Sequence, residues 1–157
     1  MTHIYIGLGA NIGEPHTALD HALDGLRPLA RNGEVTVSPR YRSAPIDALG
    51  PDFINAVATF DSEQSAIEIL RHLHALEAAA GRQRSYRNAP RTLDLDLLLF
   101  GDEQIASAAM TVPHPRMLQR AFVLKPLLDL APDIHIPGAG AARDHWPAVA
   151  GQTIVPC

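Results

Sequence analysis

One cysteine in 157 residues, Cys157 at the very end, means that no intrachain disulfide can form and that thiolate zinc sites are excluded. Such cysteine usage fits a reducing cytosol. Aromatic residues make up only 5% of the chain, and the basic-aromatic signature of a base-stacking RNA module is missing. There is no excess of positive charge either: the formal net charge is −4, which argues against a nonspecific polyanion binder and leaves room only for a local basic patch. No apolar run approaches the ~20 residues of a membrane span. The opening MTHIYIGLGANIGEP has neither a basic start nor a long apolar core, so a signal peptide is not expected. With 46% hydrophobic and 19% charged residues, the composition is that of one soluble cytoplasmic domain with a real core.

Hydrophobic periodicity orders the chain. HIYIGLG (3–9) alternates as a strand, and Pro15 is placed to open a helix that Leu19, Ala22, Leu23, Leu26 and Leu29 carry to about residue 30. VTVSPRYRS (35–43) reads as one edge strand, because Pro39 lacks an N–H for a central ladder. APIDALGPD (44–52) is a loop, and FINAVATF (53–60) is a strand. Ser65 and Glu68 have capping-box spacing before a helix bearing Ile69, Leu70, Leu73, Leu76 and Ala80, which Gly81 is placed to end. The strand TLDLDLLLF (92–100) follows, with a turn at Gly101-Asp102. TVPHPRMLQRAFVLKPLLDLAPD (from 111) suggests a kinked helix capped by His114 and opened by Pro115, and the tail beyond Pro132 reads as irregular. The order β-α-β-β-α-β is the ferredoxin-like α+β pattern, an antiparallel sheet with packed helices and a C-terminal helical or irregular extension.

Within the strand 92–100, side chains two apart share a face. Asp94 and Asp96 are therefore expected to point one way with Thr92, Leu98 and Phe100, and Leu93, Leu95, Leu97 and Leu99 the other way into a core. Carboxylates buried without partners cost several kcal/mol, so this pair needs cations. At ~3.3 Å per residue the two stems stand about 6.5 Å apart, a spacing that suits magnesium with its preference for carboxylate, water and phosphate oxygens. GRQRSYRNAPR (81–91) holds Arg82, Arg84, Arg87 and Arg91, whose guanidinium groups suit phosphate. Together the two stretches describe a polyphosphate site. The plainer alternative is that both aspartates end at a solvated sheet face or pair with arginines; a nucleotidyl transferase, which also uses paired carboxylates and metal, and an RNA-binding sheet are competing readings.

Other signals carry less. GLGANIGEP lacks the G-K-[ST] ending of a P-loop. His72 and His74 cannot share a helix face as a zinc pair, and His3, His16, His21, His135 and His145 read as surface or structural histidines.

GRQR (81–84), PRTLDLDLLLFG (90–101) and TVPHPRMLQRAFVLKPL (111–127), with YIGLGANIGEP and RYRSAPIDALGPDFINAV before them, resemble the 6-hydroxymethyl-7,8-dihydropterin pyrophosphokinases. The resemblance implies a monomeric ferredoxin-like enzyme that uses two magnesium ions to move the β,γ-pyrophosphoryl group of ATP onto the pterin hydroxymethyl group in folate biosynthesis, releasing AMP, with no nucleic-acid or membrane partner. It makes Asp94 and Asp96 the magnesium ligands. Arg82 and Arg91 would grip the transferring phosphates, Arg84 and Arg87 would be loop cations, and His114 and Arg120 would meet the nucleotide phosphates from the other side. Glu77 and His74 would lie near the nucleotide. For the pterin it implies stacking by Phe53 and Phe122, an amide reader in Asn55, and a lining from Ser43, Ala44, Pro45 and Ile46. Loops 44–52 and 82–91 would close after ATP binds, before the pterin. The chain departs from the family pattern at His74 (a glutamine in some relatives), Asn88 (tryptophan), Pro115 (tyrosine) and Ala10 (serine).

Overall fold

The computed structural model describes residues 1–45, 50–81 and 93–157. In chain order its elements are β1 (Thr2–Ala10), α1 (Pro15–Leu26), β2 (Thr36–Val37), β3 (Tyr41–Ser43), β4 (Phe53–Ser62), α2 (Ala66–Ala80), β5 (Asp94–Phe100), β6 (Ile105–Ala106), β7 (Thr111–Val112), α3 (Ala121–Leu130), β8 (His135–Ile136), β9 (Gly140–Ala141), α4 (Trp146–Val149) and β10 (Ile154–Pro156). The main sheet is antiparallel in the order β10-β3-β4-β1-β5, with β2 also paired to β4. This is a mixed α/β architecture built on an antiparallel sheet, as the element order predicts.

Period-2 alternation in β1 divides the molecule into layers. Ile4, Ile6 and Leu8 pack with Leu19 and Leu26 of α1, Ile69 and Leu73 of α2, and Leu93, Leu95 and Leu97. On the opposite face Tyr5 and Val57 meet Leu98, Leu99, and Val123, Leu124 and Leu127 of α3. Both faces of the sheet are thereby covered, and each buried leucine contributes about 1.5–3 kcal/mol of burial.

The strand bearing the aspartates breaks its own alternation. Pairing runs Ile6 to Leu97 but Tyr5 to Leu99, so Leu98 is an extra residue, a β-bulge. One inserted residue exchanges the faces beyond it. Leu99 therefore joins the α3 layer and Phe100 the α1/α2 layer, the reverse of the expected assignment, while Asp94 and Asp96 still share a face with Leu98.

Three further expectations are corrected. Residues 35–43 are two short strands separated at Ser38–Arg40, because Pro39 has no N–H to continue a ladder; and β3 is not at the edge, since β10 pairs outside it. No helix opens at Pro115: Met117–Gln119 is a 3-10 turn and α3 starts at Ala121, with His114 instead giving its N–H to the Leu98 carbonyl at 3.0 Å. The tail beyond Pro132 holds the β8–β9 hairpin, α4 and β10. Among the described residues no helix is long and apolar enough to cross a membrane.

The α2 capping box is present as its sequence predicts: Glu68 N–H donates to Ser65 Oγ at 3.3 Å and Ser65 N–H to Glu68 Oε1 at 3.0 Å. Ser65→Ala is expected to lower the melting temperature by roughly 2–4 °C, the usual loss for one N-cap in a domain of this size, measured by thermal circular dichroism; an unchanged midpoint would show that the cap contributes nothing here.

Candidate active site

The α3 face of β1 carries Tyr5, Gly7 and Gly9. The two glycines have no side chain to fill the space beneath α3, and a cavity of ≈ 240 Å³ opens there. Its floor is Gly7 and Gly9; its walls are Ser43, Ala44, Phe53 and Asn55 on one side, Asp94 and Asp96 on the other, and Arg120 and Phe122 above. Strand register sets this arrangement. Gly9 pairs with Asn55 on one side and Asp94 on the other, and Gly7 pairs with Asp96. Neighbouring strands lie ~4.8 Å apart, so an amide and a carboxylate face one another across about 10 Å of bare backbone.

Asn55 is held in one orientation. It is 3% exposed, and its Nδ2 donates to Ser43 Oγ at 2.7 Å and to the Tyr41 carbonyl at 3.5 Å. A carbonyl can only accept, which fixes the amide's sense. Its Oδ1 is then the atom turned toward Gly9, where a Cβ would lie 3.2 Å from it. The cavity thus presents an acceptor beside the ring of Phe53. Across from it the Arg120 guanidinium lies 5.5 Å from the centroid of Phe122, a cation-π distance.

A second cavity of ≈ 330 Å³ adjoins the first, lined by Leu70, His74 and Glu77 of α2, Asp96, and Met110, His114 and Pro115 from the segment around β7. Asp96 lines both cavities. Glu77 is docked on the strand, its Oε2 accepting from Leu95 N–H at 3.0 Å. The Leu98 bulge places His114: its carbonyl takes the His114 N–H, and the His114 ring comes to stand with Nε2 3.8 Å from Asp96 Oδ1. That distance is too long for a hydrogen bond. Arg116 N–H donates to His114 Nδ1 at 3.2 Å, so the neutral ring carries its proton on Nε2, facing Asp96.

Of the residues expected at the site, Ser43, Ala44, Phe53, Asn55, Asp94, Asp96, Arg120 and Phe122 line the first cavity, and His74, Glu77 and His114 the second. Pro45 is not among the residues lining either one. Ile46, Arg82, Arg84, Arg87, Asn88 and Arg91, like much of the loops 44–52 and 82–91, lie outside the described residues. Sequence reasoning missed Gly7 and Gly9, although glycines at alternate positions of a strand are the signal that one sheet face has been left bare. Among the described residues no three His, Cys, Asp or Glu side chains gather as a ready-made metal cage.

Burial pulls the His114 pKa below that of free imidazole; Asp96 opposes the shift, and Arg120 and Arg116 reinforce it. The folded protein thus favours the neutral ring and binds fewer protons than the unfolded chain below pH ~6.5, so the stability this gives is complete above that pH and is lost as the pH falls through the depressed value. NMR titration of the metal-free protein should find His114 below free imidazole, and Asp96→Asn should push it lower still, because a negative charge that raises it is removed. A rise on that substitution would contradict the electrostatic picture.

A family model described as 7,8-dihydro-6-hydroxymethylpterin-pyrophosphokinase (HPPK) matches residues 5–132. The 2-amino-4-hydroxy-6-hydroxymethyldihydropteridine pyrophosphokinase of Pseudomonas aeruginosa is 44% identical over 135 residues, covering 85% of this chain and 83% of that protein. The protein of the same name from Haemophilus influenzae is 39% identical over 140 residues, 88% of each chain. Among solved structures, an HPPK-DHPS in complex with substrates is similar with a TM-score of 0.76 at 11% identity, over 94% of this chain and 43% of that one. Wild-type Plasmodium falciparum HPPK-DHPS with pteroate gives 0.75 at 11% identity, over 93% and 44%. This chain spans less than half the length of those two solved chains, and at such identity the likeness concerns the fold.

Proposed function

The chain belongs to the 7,8-dihydro-6-hydroxymethylpterin-pyrophosphokinase family, and we propose that its two adjoining cavities are the pterin and nucleotide halves of one active site. It is a diphosphotransferase of folate biosynthesis that moves a pyrophosphoryl group onto hydroxymethyldihydropterin, with ATP as co-substrate. The observation that carries the assignment of the cavities is Asp96, which lines both and so stands where a group passes from one substrate to the other.

In the first cavity Phe53 and Phe122 stack the flat pterin, and the Asn55 Oδ1, its Nδ2 already engaged, accepts from the N–H edge of the ring. Gly9 gives the bicycle room to lie along the sheet, and its hydroxymethyl arm then reaches toward Asp94 and Asp96. In the second cavity His114 donates through Nε2 to a phosphate oxygen. Arg120, which lines the first cavity, meets the phosphates from that side, and Arg82 and Arg91 grip the transferring phosphates, with Arg84 and Arg87 as further cations. Displacement at the β-phosphorus needs alignment and neutralisation of charge more than a strong base.

Asp94 and Asp96 fit magnesium by donor chemistry: two part-exposed carboxylates on one sheet face, short of a full cage, suit an ion that completes its shell with water and phosphate. Two such ions, when bound, neutralise phosphate charge and acidify the attacking hydroxyl. We read the sheet as ferredoxin-like, supported by the order β3-β4-β1-β5 with α1 following β1 and α2 following β4. We also read the molecule as a cytoplasmic monomer, since one chain supplies both cavity walls and the single cysteine suits a reducing compartment.

Product analysis tests the assignment. ATP and 6-hydroxymethyl-7,8-dihydropterin together should yield AMP, and neither alone should; release of pyrophosphate instead would favour nucleotidyl transfer. Asp96→Ala is expected to lower kcat/KM at least about 100-fold, the scale of losing an electrostatic group in phosphoryl transfer, and near-normal turnover would sink the carboxylate role. Asn55→Ala should raise the KM for pterin about tenfold, with that for ATP unchanged, since one buried acceptor is lost. An equal rise for both substrates would refute its assignment to the pterin.

A further inference from the structure

The C-terminal segment reaches the active site from outside. Gln152 lies in the turn between α4 and β10, beyond residue 132 where the family match ends. Its side-chain Oε1 accepts from Ala121 N–H at 2.8 Å, and its Nε2 donates to the Gln119 carbonyl at 2.9 Å. These are the peptide groups on either side of Arg120. One amide side chain therefore clips the backbone before and after the cation that lines the first cavity. A primary amide has one acceptor and two donors in a plane, which suits it to this paired contact.

The clip is itself anchored. Gln152 N–H donates to the Val149 carbonyl at 2.9 Å, and Val149 is buried against the α3 layer. Two residues further on, Ile154 pairs with Ser43 across β10 and β3. Residues 152 and 154 thus hold opposite walls of one cavity: the α3 entrance with Arg120 and Phe122, and the strand whose Ser43 hydroxyl accepts from Asn55. No other side-chain hydrogen bond to the start of α3 is present among the described residues.

We infer that Gln152 is a positioning residue for the transfer reaction, setting Arg120 by clamping the peptide groups that flank it. The inference rests on the proposed role of Arg120 in binding the phosphates. An arginine that meets charge developing in the transition state must be held before that charge appears, and a small displacement costs rate more than ground-state affinity.

The test is a double-mutant cycle with Gln152→Met, which keeps the length of the side chain and loses both hydrogen bonds. In the otherwise native enzyme kcat should fall about tenfold, the scale of two hydrogen bonds, with both KM values changed less than about threefold. In an Arg120→Ala background the same substitution should cost less than about twofold, because the residue it positions is gone. Hydrogen exchange should quicken at the Ala121 amide. Gln152→Glu, which keeps the acceptor but not the donor, should fall between wild type and Gln152→Met, and it replaces Gln152→Met should that variant not fold. A lowered melting temperature with unchanged kcat, or an equal loss in both backgrounds, would make Gln152 a helix cap only and overturn the inference. Should Arg120→Ala be fully active, the phosphate role of Arg120 fails on its own account and the positioning role falls with it.

Discussion

The absence of side chains at Gly7 and Gly9 is the constraint on which the candidate active site depends. β1 is an interior strand, bonded to β4 on one side and β5 on the other, so its α3 face would ordinarily be filled as Tyr5 fills it further along. Two glycines in register with Asn55, Asp94 and Asp96 remove that filling and leave only backbone between the amide on one side and the two carboxylates on the other. Glycine weakens a strand by losing packing and entropy. The covered opposite face, where Ile4, Ile6 and Leu8 are buried beneath α1 and α2, offsets that weakness.

A second local irregularity orients the other half of the site. The Leu98 bulge turns Leu99 under α3 and frees a carbonyl that takes the His114 N–H, so the ring stands beside Asp96. Removing one residue from β5 would exchange the faces along the strand and move the carboxylates or the leucines off their layers. Irregular strand geometry and chemistry are coupled here because a bulge re-aims whatever follows it.

Much of the chemistry was legible in local patterns. The alternation of leucine with aspartate in β5 marks two carboxylates on one face whatever the fold, and the capping box announces where α2 starts. The likeness to a pterin pyrophosphokinase supplied the partners of those carboxylates, and Phe53, Asn55 and Phe122 do line one cavity. Less legible were the features that arise from chain meeting chain: the bulge, the delayed start of α3 and the ordered tail. Each depends on pairing with a segment distant in sequence, which a local period does not encode.

The sequence by itself determined the composition of the site and the face on which its aspartates lie, because side-chain chemistry and the two-residue period of a strand are properties of the chain alone. Tertiary structure decided the rest. It set Asn55 opposite Asp94 across a bare glycine, made Asp96 common to two cavities, and brought Gln152 back to the peptide groups around Arg120. Distances between residues far apart along the chain are set by strand register and helix packing, and these exist only once the whole core has closed.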